Sequence, residues 1–370
     1  MTITTATKPR LLCGPGPTNV DPAVLEAMQA PMLGHLDPDF HEILLEVVAD
    51  LREVYRAGDD ALVLAIQATG TAGMEAGIAN LVEPGDTVVV GSAGYFGERI
   101  SEIARRYGAN VVEVTADWGE CVPNNALLET LEHHPQARLL AVVHAETSTG
   151  VEHPLGELGP ALKGTDTLLM ADCVTSLGGV TLDVRGWGVD YAYSCTQKCL
   201  AAPPGMSPVA VSQRALERIR ARTSPVPFSL DLSLLSRYWI ERPPTYHHTA
   251  PILNIYALRE ALRQVLDEGL QARIESHDYA GRYLQRQLRA RGFELLADPA
   301  HQLAPLTAVR VPEGIDGKEI QTRLLREHGI EVGGGLGPAA PPIWRIGLMG
   351  ANATIETADT VLAAFDSVLN

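Results

Sequence analysis

Ala61-Leu62-Val63-Leu64-Ala65-Ile66-Gln67-Ala68-Thr69-Gly70-Thr71-Ala72-Gly73 is the stretch on which the reading of the fold turns. Ala61–Ile66 is the longest unbroken apolar run in the chain, and six residues suit a buried strand. The small residues of 67–73 follow it, and the pattern predicts a helix over 73–82. Such a turn can aim backbone N–H groups outward at a helix N-terminus, the physical setting for a phosphate. It is equally compatible with a flexible strand–helix turn, and this segment alone leaves both open. A Walker A loop is excluded, because none of the lysines is followed by Ser or Thr. The G-x-G-x-x-G dinucleotide fingerprint is absent from the turn as well, so a monophosphate cup fits better.

Outward from this stretch, short apolar runs alternate with amphipathic ones. Strands are expected at Thr87–Val90, Val111–Val114, Leu139–His144, Thr167–Ala171, Tyr191–Ser194 and Pro208–Val211. Helices are expected at Glu98–Tyr107, Asn125–His133 and Leu155–Leu162. This spacing argues for an α/β domain with a mostly parallel sheet. From Tyr256 to about Arg291 the pattern is helical. The tail then reads as strands at Leu306–Val311, Ile330–Val332 and Ile343–Leu348, with helices at Lys318–His328 and Ile355–Leu369. The expected organisation is an N-terminal arm over 1–20, a large domain over 21–262 and a smaller α+β domain over 263–370.

The composition is that of a globular protein: 370 residues, 46% apolar, 20% charged. A net charge of −16 argues against a nucleic-acid or anionic-membrane partner. No run is long enough to span a bilayer and no secretory signal is legible, so a cytoplasmic protein is expected. The five cysteines, Cys13, Cys121, Cys173, Cys195 and Cys199, have no paired spacing and suit reduced, mostly buried thiols. No metal-ligand set is legible among them.

Two further segments carry candidate chemistry. Leu168-Leu169-Met170-Ala171-Asp172 is a buried strand ending in a carboxylate, at the place where open α/β sheets bind ligands. That Asp can be a helix cap or a ligand contact. Ser194-Cys195-Thr196-Gln197-Lys198-Cys199-Leu200 sets one of only four lysines among small and apolar residues. Lys198 can snorkel to solvent, or it can be a desolvated amine of lowered pKa able to form a Schiff base. A phosphate cup, a carboxylate at a strand end and an isolated lysine together meet the needs of pyridoxal 5'-phosphate. They would supply an anchor, a partner for the ring nitrogen, and an amine that holds the aldehyde and moves a proton.

The chain resembles the class V aminotransferases of the type I pyridoxal-phosphate fold, and within them the alanine–glyoxylate and serine–pyruvate aminotransferases. The resemblance rests on Gly14-Pro15-Gly16-Pro17, Gly34-His35, Glu75-Ala76, Val82-Glu83-Pro84-Gly85-Asp86 and Glu146-Thr147-Ser148-Thr149-Gly150. It continues through Gln197-Lys198, Ala202-Pro203-Pro204-Gly205, Tyr246-His247-His248-Thr249 and Trp344-Arg345-Ile346-Gly347. It implies Lys198 as the Schiff-base lysine, Gln197 as a cofactor contact and Asp172 as the partner of the ring nitrogen. Thr69, Gly70 and Thr71 would hold the phosphate, and Thr147 would lie near the ring hydroxyl. Tyr246 and Thr249 would reach the phosphate from a second subunit, making a homodimer with shared sites. Arg345 would bind the substrate carboxylate, with Gly16 and Tyr246 beside it.

The chain departs from its characterised relatives in carrying Phe96 where they stack Trp on the cofactor ring, and Thr71 where they have His. His144, His247 and His248 are expected to be structural, and Gly333–Gly337 is expected to be a mobile segment near the substrate mouth. The resemblance implies a ping-pong transamination from alanine or serine to glyoxylate or pyruvate. The alternative is ureidoglycine–glyoxylate aminotransferase, resembled around Gly34–Phe40 and Gln197–Leu200, or another small-substrate pyridoxal-phosphate enzyme of the same fold. The ureidoglycine subgroup carries Asn where this chain has Tyr246, which favours alanine or serine. A cysteine desulfurase would need a mobile Cys in the small domain, and the last cysteine here is Cys199.

Overall fold

A computed structural model of the chain describes residues 8–369. Fourteen strands and twelve α-helices are assigned among them. The strands are β1 Leu11–Leu12, β2 Leu62–Gln67, β3 Thr87–Ser92, β4 Asn110–Thr115, β5 Leu139–Val143, β6 Ala145–Glu146, β7 Val151–Glu152, β8 Leu168–Asp172, β9 Tyr191–Tyr193, β10 Met206–Val211, β11 Leu306–Arg310, β12 Ile330–Glu331, β13 Gly333–Gly334 and β14 Ile343–Gly347. The helices are α1 Pro22–Ala27, α2 Pro38–Tyr55, α3 Gly70–Leu81, α4 Tyr95–Arg106, α5 Asn124–His133, α6 Leu158–Ala161, α7 Gln213–Arg220, α8 Leu232–Trp239, α9 Ile252–Glu268, α10 Leu270–Ala290, α11 Gly317–Arg323 and α12 Ile355–Leu369.

Seven strands form one sheet in the order β2-β10-β9-β8-β5-β3-β4. Only β10 runs antiparallel to its neighbours. Its central strands β3, β5, β8 and β9 are buried along their whole length, as a parallel sheet covered on both faces requires. A second, antiparallel sheet has the order β11-β14-β13. The larger apolar cluster joins the seven-stranded sheet to α2, α3 and α9. A smaller one gathers α10, α12 and the second sheet. This is the mixed α/β architecture expected from the alternation. Among the described residues no helix is long and apolar enough to cross a membrane.

Several elements differ from the sequence reading. Helix α3 begins at Gly70 rather than Gly73, because Thr69 is extended and the small residues fill the first turn. The helical pattern of 256–291 is two helices broken at Gly269, whose φ of +89° favours glycine. The boundary read at 262/263 lies inside α9, which packs in the larger cluster, whereas α10 packs in the smaller. The arm is also tied down: β1 pairs in parallel with β12, and Cys13 sits in the smaller cluster. The expected strand at 330–332 is strand only at Ile330–Glu331, and the edge strand β13 follows at Gly333–Gly334. The expected helix at 318–328 passes into a wider π turn at Leu324–His328.

Helices α1, α2, α7 and α8 were not expected. Ser212 caps α7, accepting from the Ala215 N–H, and the other three have an aspartate at the N-cap: Asp21, Asp37 and Asp231 all accept hydrogen bonds from first-turn N–H groups. In α1 and α2 the next residue is proline, at the helix start where its missing N–H is harmless.

Candidate active site

The parallel strands bring their C-terminal ends to one rim. β2 leads there into Thr69 and α3, β3 into Phe96 and α4, and β5 into Glu146 and Thr147. β8 ends there on Asp172, and β9 leads into Lys198. Residues far apart in sequence converge because their strands are neighbours in the sheet.

Asp172 is 2% exposed. Its carboxylate accepts hydrogen bonds from the Tyr193 hydroxyl at 2.6 Å and from the Val174 N–H at 2.9 Å. Burial pushes its pKa up to about 7 despite those two bonds. Lys198 is 8% exposed, and its amine donates to the carbonyl of Pro15. Burial pushes the amine below its ordinary range. Sequence had left open whether this lysine snorkels to solvent, and the buried side chain answers that. Gly16 lies against it: a Cβ there would fall 2.6–2.8 Å from the Lys198 side-chain end, and its φ is +104°.

The N-terminus of α3 receives no side-chain cap from Thr69. Gly70 closes on Val174 and Cys195, with room for no Cβ, which sets this uncapped end beside the strands carrying Asp172 and Lys198. Thr71 is exposed on the next residue. Ala68 and Ala201 hold φ of 144° and 55°, left-handed values that alanine rarely adopts. They flank Thr69 and Lys198, so backbone strain is concentrated at this rim. Gln197 is half-buried, and its side-chain oxygen is buried without a hydrogen-bond partner.

Arg345, on β14, is 6% exposed. Its Nε donates to the Gly334 carbonyl at 2.6 Å and its Nη1 to the Thr147 carbonyl at 3.1 Å. Nη2 has no partner among the described residues. Burial pushes this guanidinium down to about 10. The glycine run read as mobile is, in its first two residues, strand β13 paired with Trp344 and Arg345. Phe96 is half-buried at the start of α4, edge-on to Tyr95 at 5.5 Å between centroids.

Tyr246 and Thr249 are not brought to this cluster. Both are exposed, and the Tyr246 ring lies 5.5 Å from that of His35. His247 and His248 bond each other, and His247 also bonds the Phe228 carbonyl. His144 is buried edge-on against Trp187, and burial pushes it down to about 3. Among the described residues no group of three or more His, Cys, Asp or Glu could hold a metal.

The class-V aminotransferase family model matches residues 10–355. The chain belongs to the class-V aminotransferases. It is 36% identical over 365 residues to an alanine–glyoxylate aminotransferase of Drosophila melanogaster, covering 97% of this chain and 92% of that one. Among solved structures, an alanine–glyoxylate aminotransferase from Nostoc sp. is 46% identical with a TM-score of 0.96, covering 100% of this chain and 98% of that one. A ureidoglycine–glyoxylate aminotransferase from Bacillus subtilis is 39% identical with a TM-score of 0.94, covering 98% and 93%.

For a class-V aminotransferase the family implies pyridoxal phosphate, and the donor set here fits that group. The uncapped helix terminus suits a phosphate, Asp172 a ring nitrogen and Lys198 an aldehyde, while the orphaned Gln197 oxygen awaits a polar partner. Sequence reasoning had not assigned Tyr193 or the carbonyls of Pro15, Gly334 and Thr147 that hold the three charged side chains. Tyr193 is two residues past Tyr191 on one strand, so both rings share a face (a signal of period two). The carbonyls leave no trace in sequence.

Proposed function

We propose that this aminotransferase binds pyridoxal 5'-phosphate and transfers an amino group from alanine or serine to glyoxylate or pyruvate in two alternating half-reactions. The observation that carries this is the buried convergence of Asp172, Lys198 and Arg345 beside the uncapped start of α3. When bound, the cofactor supplies an electron sink for the bond broken at the substrate α-carbon.

Thr69, Gly70 and Thr71 would hold the phosphate, and Asp172 would pair with the ring nitrogen. Phe96 would cover the ring, and Gln197 and Thr147 would contact it. Lys198 is the amine that would anchor the aldehyde, and it would take and return the substrate α-proton. Its burial favours the neutral, basic form that such a step needs. Arg345 receives the substrate carboxylate, oriented by its two carbonyl contacts. Gly16 keeps space open beside Lys198.

The three relatives are all named for glyoxylate, which supports that acceptor. Their donors differ, and ureidoglycine is the competing reading. A homodimer is part of the proposal. Met32, Leu36, Phe228 and Tyr246 are exposed apolar side chains, and the packing of His35, Tyr238, Tyr246, His247 and Phe228 brings three of those regions together. The five free cysteines support a reducing, cytoplasmic location.

The test is a half-reaction screen on enzyme loaded with pyridoxal phosphate, followed by its visible absorbance. Alanine or serine should change the band and glyoxylate should restore it. A band moved by ureidoglycine alone would replace the donor, and a protein that takes up no cofactor would overturn the reading.

A further inference from the structure

Glu146 lies at the end of β6, 2% exposed and with no ion pair within 4 Å among the described residues. Its two oxygens face different elements. Oε1 accepts from the Ser148 N–H at 3.0 Å and from the Ser148 hydroxyl at 2.6 Å. Oε2 accepts from the Phe96 N–H at 3.2 Å, in the first turn of α4. Ser148 Oγ in turn accepts from the Tyr95 N–H at 3.0 Å. Two consecutive N–H groups at the start of α4 are therefore held by one carboxylate–hydroxyl pair from the β6–β7 hairpin.

The approach is close. A Cβ at Gly94 would fall 2.9 Å from Glu146 Cγ and nearer still to Ser148 Oγ. Gly94 is the N-cap of α4 and can offer no side-chain cap of its own. The helix start is thus capped from outside, by the hairpin that also carries Thr147, whose carbonyl holds Arg345. A buried carboxylate is costly unless it is fully used, and here the carboxylate holds the Phe96 N–H directly while Ser148, which it also holds, takes the neighbouring Tyr95 N–H.

We propose that Glu146, through Ser148 and the N-terminus of α4, is the positioning residue that sets the orientation of Phe96 against the cofactor ring. This rests on the reading above in which Phe96 covers that ring. Glu146→Gln discriminates well, because an amide has one acceptor oxygen where the carboxylate has two. In either orientation its NH2 group opposes an N–H, of Phe96 or of Ser148, and the clamp opens on one side.

The experiment measures the dissociation constant of pyridoxal 5'-phosphate and the circular dichroism of its visible band. It uses wild type, Glu146→Gln, Ser148→Ala, Phe96→Ala and the double variant Glu146→Gln/Phe96→Ala. Glu146→Gln should weaken binding about tenfold and alter the dichroism, as loss of a buried charge-assisted bond predicts. Ser148→Ala is the milder variant and should act in the same direction. In the Phe96→Ala background, Glu146→Gln should cost no more than about twofold further, because the two act through one ring.

Full additivity in the double variant would overturn the proposal, as would wild-type affinity and dichroism in both Glu146→Gln and Ser148→Ala. A wild-type protein that binds no pyridoxal phosphate would overturn the cofactor reading first and this inference with it. The two failures are therefore distinct.

Discussion

The Tyr193 hydroxyl donates to the Asp172 carboxylate at 2.6 Å, across adjacent strands of the sheet. This buried carboxylate is thus held by a neutral donor. Desolvation prevails, and its pKa is pushed up to about 7.

The sign of the pH effect follows from that shift. The native state binds a proton at Asp172 that the unfolded chain, at 3.8, has already released. Stability from this group is complete below 3.8 and is lost as pH rises towards 7. Asp172→Asn should therefore raise the Tm of the cofactor-free protein at pH 8 and leave it little changed at pH 4. The gain should be at most about 4 kcal/mol. The loaded variant should lose activity at every pH. Thermal unfolding of both proteins across pH 4–8 checks this, and a Tm difference that shrinks with rising pH would contradict it.

Lys198→Ala should fold, since it removes a buried amine that burial has already made costly to charge. Turnover should fall at least about a thousandfold, with the loss in kcat rather than in fold. Gly16→Ala is a subtler version of the same test. Its Cβ would press on the Lys198 side-chain end, and the φ of +104° would strain it by about 1–3 kcal/mol. A lower Tm together with a reduced kcat is expected. Near-wild-type transamination by Lys198→Ala would sink the assignment of this lysine.

Arg345→Lys tests the carboxylate receptor. The guanidinium spends Nε and Nη1 on two carbonyls and keeps Nη2 uncommitted. An ammonium cannot reproduce that planar arrangement. KM for both amino and keto acid should rise about tenfold or more, with a smaller change in kcat. Steady-state kinetics with alanine and glyoxylate decide it. A change confined to kcat would move Arg345 out of substrate binding.

The parts of the fold that follow a period were legible. β2, β5 and β8 are short apolar runs, and their order already placed Asp172 at a strand end. Lys198 was legible by scarcity, being one of four lysines and the one with apolar neighbours. Helices α1 and α2 carry a readable Asp-Pro start at Asp21-Pro22 and Asp37-Pro38, which periodicity alone passed over. What could not be read is what the chain meets across space. The Pro15 carbonyl under Lys198 is 183 residues away, and the Thr147 carbonyl under Arg345 is 198 away. Backbone acceptors have no sequence signature, so such contacts appear only once the sheet order is known. The pairing of β1 with β12 is hidden for the same reason.

Tyr246 and Thr249 stand exposed and apart from the cluster that the other site residues form, which suits side chains completing a neighbouring subunit's site. Subunit mixing tests this without any structure of the assembly. Lys198→Ala supplies an intact Tyr246 and Thr249, and a Tyr246→Ala/Thr249→Ala chain supplies an intact Lys198. Each alone should be weak. Co-expressed in equal amounts, half the dimers should be hybrids, and in each hybrid one site regains a full set. Activity should then reach about a quarter of wild type, well above the mean of the two parents. If Tyr246 and Thr249 serve their own chain, no hybrid site is complete, and mixed dimers will show only the average of the two parents.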